Sequence, residues 1–378
     1  MIYFDNNATT RPLPQVRAAM ANALETCWGN PSSANALGQA AARAVEKARG
    51  AVADLVGISA DRLLFTSGAT EANEAVLRHH LAAGHALVTS EAEHPALSGV
   101  YRQAEPNLLR MVGLDADGRW KLFELSKLLG EGPALVAVSL ANGETGVLQN
   151  IDAICVQARE AGSHVLVDAS QALGRLEELP GVKCADYLSV SAHKLHGPKG
   201  VGALALLSDA AQSVISQVGG GQERGRRGGT ENVPGIVGFG EACAHRTADL
   251  AGCIARLAHL RDRFEAQICS RVRDAVINGA GATRAPNTSS VTFNGVDGMA
   301  LVGRLEDQGV VCSQVSACSS GSPGPSETLL AMGLSARSAF STLRFGFAVD
   351  NSEPEIDKAV EVIEKEMNFL KSVMGDMC

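Results

Sequence analysis

No apolar run in this sequence reaches the roughly twenty residues that a membrane-spanning helix needs. Met1 to Thr10 is polar and has neither the basic stretch nor the apolar core of a secretion signal. The nine cysteines, an odd number scattered from Cys27 to Cys378, contain no C-x-x-C pair. That argues against a disulfide framework and against a zinc site, and a reducing, cytoplasmic compartment is the expectation. Lys and Arg form no run and the formal net charge is -8, so there is no electrostatic footprint for direct nucleic-acid binding beyond a local patch at Arg224, Arg226 and Arg227. Disorder signatures, internal repeats and long low-complexity segments are missing too.

What is present is the texture of an α/β enzyme. The 378 residues exceed the size at which one hydrophobic core stops growing, so two domains are expected. Short apolar runs end in polar turns and alternate with alanine-rich stretches of helical period, the pattern of βαβ units and a mainly parallel sheet. Leu63 to Thr66, His85 to Thr89, Leu135 to Leu140, His164 to Asp168, Tyr187 to Ser191 and Val201 to Leu207 read as strands. Glu71 to Ala83 and Ile151 to Ala161 read as helices between them. One long helix from about Val233 to Cys269 reads as the connector into a smaller unit. That unit is built from Val272 to Ile277, Ser289 to Phe293, Leu343 to Phe347 and a final helix, Glu353 to Leu370.

Four strand ends and one loop carry the residues with chemistry in them. Lys194 follows the run ending at Ser191, in a loop tightened by Gly197, Pro198 and Gly200, where α/β proteins keep reactive groups. Ser191 and His193 beside it are phosphate-type donors, which suits a lysine that carries a phosphorylated cofactor and not merely a solvated surface cation. Asp168 ends the strand His164-Val-Leu-Val-Asp168; it either caps the next helix or, in a pyridoxal-phosphate site, keeps the pyridine nitrogen protonated so that the ring acts as an electron sink. Phe65-Thr-Ser-Gly-Ala-Thr-Glu71 leads into a helix starting at Ala69 or Thr70. Its free N–H groups favour an anion, although the same residues also form an ordinary cap. His94, after the run ending at Thr89, is either structural or a flat ring able to stack on a cofactor and transfer protons. Cys318, in Ser316-Ala-Cys-Ser-Ser-Gly-Ser322, is surrounded by hydroxyls and glycine where Cys155 and Cys243 sit among aliphatic residues, and it is the best nucleophile candidate.

Taken in order, these blocks resemble the cysteine desulfurases of the nitrogen-fixation and iron–sulfur-assembly type, within the class V aminotransferase group. The resemblance covers nearly the whole length. It rests on Asp5-Asn-Asn-Ala-Thr-Thr10, Gly29-Asn-Pro-Ser-Ser33, Ser67-Gly-Ala-Thr-Glu71, Glu93-His94, Glu144-Thr-Gly146, Asp168-Ala-Ser-Gln171, Ser191-Ala-His-Lys194 with Gly197-Pro-Lys-Gly200, Arg227-Gly-Gly-Thr230, Ser316-Ala-Cys318 and Leu343-Arg-Phe345. It implies an α/β fold of the pyridoxal-phosphate aminotransferase type (fold type I). The large domain, residues 15–250, would hold a mainly parallel seven-stranded sheet, and a smaller α+β domain, residues 1–14 and 251–378, would carry the cysteine loop. It implies that Lys194 bears pyridoxal 5'-phosphate, Asp168 meets the ring nitrogen, Gln171 the ring hydroxyl, and His94 the ring face. Ala69, Thr70, Ser191 and His193 would hold the phosphate, with Thr230 reaching in from the second subunit of a homodimer, and Arg344 would bind the carboxylate of L-cysteine. Sulfur would pass to Cys318 as a persulfide and then to a protein acceptor such as an iron–sulfur scaffold, for cluster assembly or thio-modification.

The chain departs from the family pattern at Gly143, where an Asn is usual beside the cofactor hydroxyl, at Val315 and Gly324 flanking the cysteine loop, and at Asn35, where His is common. Cys378 follows soon after the final helix, so the docking tail of housekeeping members is not expected. Three other readings stand beside the desulfurase. A selenocysteine lyase or another class V enzyme needs no mobile thiol. A non-catalytic sulfur carrier or assembly scaffold would keep the fold without the chemistry. A dinucleotide-binding oxidoreductase, hinted at by Gly219-Gly-Gly221 and the glycines from 225 to 229, is weakened because no G-x-G-x-x-G follows a strand.

Overall fold

The computed structural model describes residues 1–314 and 324–375. A short strand β1 (Ile2–Tyr3) precedes the seven strands of the main sheet: β2 (Leu63–Thr66), β3 (Ala86–Thr89), β4 (Leu109–Met111), β5 (Ala134–Ser139), β6 (His164–Asp168), β7 (Tyr187–Ser191) and β8 (Gly202–Leu206). Their order across the sheet is β2-β8-β7-β6-β5-β3-β4. Strand β8 runs antiparallel to both of its neighbours, β2 and β7, and the remaining pairs are parallel. The other six strands therefore deliver their carboxyl ends to one edge.

These strands read as unbroken apolar runs because both faces of the sheet are covered. Alternate residues divide between two cores. Phe65, Val136, Val167 and Val190 face the helices Ala36–Val56 and Val233–Ala248. Leu64, Leu135, Leu166 and Tyr187 face the helix Ala69–Ala82. The expected strands are all present, and β4 is an addition. It is a three-residue edge strand, only partly buried, so it lacks the apolar run that marks the others.

The single long connector helix is corrected to two, Val233–Ala248 and Leu250–Arg271, with Asp249 between them at φ -145°, ψ 54°. The physical reason lies in what each half buries. The first packs Ile236 and Phe239 into the main core, whereas the second packs Leu257, Leu260 and Phe264 into a separate one, and one straight rod cannot serve both.

That separate core lies under a four-stranded antiparallel sheet. After β9 (Ala275–Ile277), β10 (Thr288–Phe293) and the short β11 (Val310–Val311) come β12 (Ser313–Gln314) and β13 (Thr342–Gly346), and the sheet order is β12-β13-β10-β9. The chain's first residues belong here as well: β1 pairs in parallel with β11, and the Phe4 ring meets Phe347 edge-on at 5.0 Å. The final helix, Glu353–Gly375, closes the unit. Asp5 to Thr10 then lead from this core to the carboxyl edge of the main sheet, where Thr10 N donates to His193 O at 2.9 Å.

Candidate active site

A cavity of about 470 Å³ opens at the carboxyl edge of the main sheet, within the usual size range for a small-molecule site. Its walls come from the ends of five strands: Gly68 to Thr70 after β2, His94 after β3, Ser139 at the end of β5, Asp168 and Gln171 after β6, and His193 and Lys194 after β7. Residues more than a hundred positions apart converge because parallel strands place their loops on one side.

Asp168 stands in register between Ser139 on β5 and Ser189 on β7. It is buried, and its two oxygens are fixed separately: Oδ1 accepts from Ser170 N at 2.9 Å and Oδ2 from the Asn73 amide at 2.7 Å. The carboxylate steadies the turn at Ser170 while it faces the cavity.

Lys194 lies in a 3-10 turn after β7. Its Nζ donates to the carbonyls of Asn7 and Ala8, at 2.9 Å to the latter. Burial, followed by the positive charges of Arg175 and Arg344, lowers its pKa to about 8, against the opposing pull of Asp168 and Asp5. A larger fraction of the amine is therefore free base near neutrality than for an ordinary lysine.

His94 caps the short helix Pro95–Tyr101, with Nδ1 accepting from Ala96 N at 3.0 Å. This fixes the tautomer with the proton on Nε2. The ring lines the cavity and is exposed there, and desolvation together with Lys194 and Arg344 holds its pKa below the usual imidazole range, Asp168 pulling the other way. His193, whose Nδ1 lies 3.2 Å from Thr9 Oγ1, is pushed down to about 4 by burial and by Lys194. Both rings are neutral in the bare protein.

The helix Ala69–Ala82 begins at the cavity with Gly68 as its N-cap and no side-chain cap. Glu71 takes the structural half of this turn: its carboxylate accepts from Ser67 N at 2.7 Å and pairs with Arg227 at 3.1 Å. The N–H groups at Ala69 and Thr70 are left to face the cavity, where Ser191 also lines the wall. The close fit depends on Gly202, because a Cβ there would lie 2.5 Å from Val190 O and 2.7 Å from Gly68 Cα.

The remaining predicted residues stand further off. Gln171 lines the cavity with its amide engaged: Nε2 donates to Asn7 O at 2.9 Å, and Oε1 accepts from Arg175. Arg344, on β13, lies behind Gly143; it donates to Gly143 O at 3.1 Å and pairs with Asp5 at 2.9 Å, while its buried Nε has no partner among the described residues. Thr230 is exposed and does not line this chain's cavity. Cys318 and Val315 lie outside the described residues. At Gly143 an added Cβ would meet only the Gln171 side chain, at 3.5 Å, so the fold does not demand glycine there.

Sequence reasoning missed several partners of these groups. Asn73, which holds Asp168, sits one helical turn after Ala69, a spacing that places both on one face. Glu93 is buried beneath the site: its Oε2 accepts from Ser139 N at 2.9 Å, and desolvation, reinforced by Asp168, raises its pKa to about 7. Glu144 accepts from Ser326 Oγ and is likewise raised to about 7 by desolvation. Arg175 and Asp5 are clear from geometry alone, since nothing in their local sequence tells a buried cation or acid from a solvated one.

A half-buried lysine and a fixed carboxylate lining one strand-edge cavity, with an anion-ready helix start beside them, define a cofactor-using α/β enzyme. The chain belongs to the aminotransferase class-V family, whose pattern matches residues 2–359. It is 36% identical over 378 residues to a cysteine desulfurase of Trichormus azollae, covering 99% of this chain and 94% of that one. Among solved structures it is similar to a NifS-like protein, with a TM-score of 0.88 and 32% identity over 98% of this chain and 100% of that one. It is also similar to SspA in complex with cysteine, with a TM-score of 0.79 and 28% identity over 92% and 99% of the two chains.

The family depends on pyridoxal 5'-phosphate, and the donor set fits that group. An uncapped helix start meets the needs of a phosphate. A buried carboxylate with both oxygens oriented suits a ring nitrogen. Ser170 Oγ, in the cavity wall, is buried without a partner among the described residues.

Proposed function

We propose that this chain is a cysteine desulfurase that converts L-cysteine to L-alanine and passes the sulfur to its own Cys318. The observation that carries the reading is the pairing, in one cavity, of the depressed amine of Lys194 with the buried carboxylate of Asp168. In this reading Lys194 bears pyridoxal phosphate, Asp168 meets the ring nitrogen, His94 covers the ring, and Gln171 lies by the ring hydroxyl. Ala69, Thr70, Ser191 and His193 hold the phosphate. When bound, the cofactor supplies an electron sink for a negative charge at the substrate α-carbon.

The chain's own residues supply the rest. Arg344 exchanges Asp5 for the substrate carboxylate, a planar pairing that lysine cannot reproduce. Lys194, displaced by the substrate amine, takes the α-proton, and a base with a pKa of about 8 is well matched to neutral pH. Asp168, held by Asn73 and Ser170, stands opposite the ring nitrogen. Cys318 thiolate attacks the substrate sulfur: the Cβ–S bond breaks, an S–S bond forms, the electron pair left on Cβ takes a proton, and alanine leaves with a persulfide remaining on Cys318.

The division into residues 15–250 and residues 1–14 with 251–378 belongs to the same reading and is supported by the separate core that gathers Phe4 with Phe264 and Phe347. So does a homodimer in which Thr230 completes the partner's phosphate site; Val218, 89% exposed in the same loop region, favours a covered surface there. A protein thiol acceptor must then take the sulfur if the enzyme is to turn over, and a cytoplasmic setting suits that exchange. The test is Cys318→Ala. It is expected to abolish sulfide release from cysteine while the visible absorbance of the bound cofactor is kept, and unchanged sulfide release would remove the desulfurase reading in favour of another class V activity.

A further inference from the structure

Behind the cavity wall lies a cation that the chemistry above does not use. Arg175 is 4% exposed, and its three hydrogen bonds all go to neutral acceptors: NH1 to Gln171 O at 3.2 Å and to Gln171 Oε1, and NH2 to Lys194 O at 2.9 Å. Among the described residues no carboxylate pairs with it, and the charges that bear on it, Arg246 and Arg344, are positive as well. Arg246 is itself buried against the same turn, donating to Gly174 O at 3.1 Å.

Burying a guanidinium without an acid is costly. A neutral amide could satisfy much of the same acceptor set, so hydrogen bonding alone does not account for the charge. What distinguishes the position is its neighbours. One arm of the fork holds the backbone of the cofactor-bearing lysine. The other holds both ends of Gln171, whose amide in turn reaches Asn7 O, the carbonyl that also accepts from Lys194 Nζ. Arg175 thus closes a ring of contacts around the amine.

We propose that Arg175 is a positioning residue that locks Lys194 and Gln171 into one geometry and sets an uncompensated positive charge behind the Lys194 amine. This inference rests on the reading of Lys194 as the cofactor-bearing group. The charge acts against protonation of the amine, so that the lysine is available as a nucleophile and a base without a nearby general base. Lys194 is faced by Arg175 and Arg344 on one side of the balance and by Asp168 and Asp5 on the other, with His94 and His193 neutral beside it. After burial, Arg175 is the strongest influence lowering its pKa, in line with lysines activated by an adjacent cation.

The test is trace acetylation of the full chain, freed of bound aldehyde, over a pH series, with Lys194 modification counted by peptide mass spectrometry against exposed lysines. Arg175→Gln is expected to move the Lys194 midpoint upward by roughly one pH unit. Arg175→Lys, which keeps the charge, is expected to leave it at the parent's value. An unmoved midpoint in the glutamine variant overturns the proposal, and so does a rise of the same size in the lysine variant. Should Arg175→Gln fail to fold, as judged by its thermal unfolding, the lysine variant decides by the same criterion. A merely structural clamp would alter stability without moving the midpoint. Protection of Lys194 by added pyridoxal phosphate is scored separately; its absence removes the cofactor reading whatever the Arg175 variants do.

Discussion

A carboxyl group buried away from water holds its proton to higher pH, and Glu93 is such a group. Its pKa of about 7, set mainly by desolvation and secondarily by Asp168, stands above the ordinary glutamate value. Between the unfolded value near 4.5 and about 7 the folded chain therefore binds a proton at this site that the unfolded chain has released. Its contribution to stability is complete below that window and is lost as pH rises through it. Glu93→Gln, which keeps an acceptor for Ser139 N, removes the dependence. Urea midpoints across a pH series are expected to show the parent losing roughly 2–3 kcal/mol relative to the variant between the two limits, and a constant difference would contradict this assignment. The consequence for the site is that below about pH 7 Glu93 adds little negative charge beneath the cavity floor, next to Asp168.

At the scale of elements, the site is an outcome of strand direction and of close approach at a few turns. Gly202 opens β8 where that strand meets both Val190 and the Gly68 turn, and the contacts an added Cβ would make there are with backbone. Gly202→Ala is expected to cost about 1–3 kcal/mol in denaturant unfolding. Gly143→Ala, whose Cβ meets only a side chain at van der Waals distance, is expected to stay close to the parent. Equal effects would mean that packing at the β8 turn is not what holds the anion end together. The same elements explain what was legible beforehand. Lys194, Asp168 and His94 are readable because each ends or shortly follows an apolar run, and in a parallel sheet such ends gather on one edge. Arg175 and Glu93 are not, because a charged residue in a turn looks the same in sequence whether a second segment covers it or water does. The break at Asp249 was equally hidden: both flanking helices are rich in alanine and leucine, and only the existence of two separate cores shows why one helix becomes two.

At the scale of the molecule, the two ends of the chain are joined to make one site. Phe4 is buried among residues from beyond position 250, and the next few residues carry the chain from that core to Lys194. Asp5 holds Arg344 and Asn7 meets Gly143 on the way. The lysine, the arginine and the cavity wall at Gly143 therefore depend on how the smaller core seats against the main sheet. Thr230 is exposed outside this cavity, and Cys318 lies outside the described residues. The most direct measurement is the visible spectrum of the purified protein before and after cysteine is added, with alanine assayed in the same cuvette. The account predicts a cofactor band that changes with cysteine, returns as substrate is consumed and is absent in Lys194→Ala, with alanine formed only while Lys194 is present. A protein that shows no such band after incubation with pyridoxal phosphate, or that forms alanine equally well without Lys194, would contradict it.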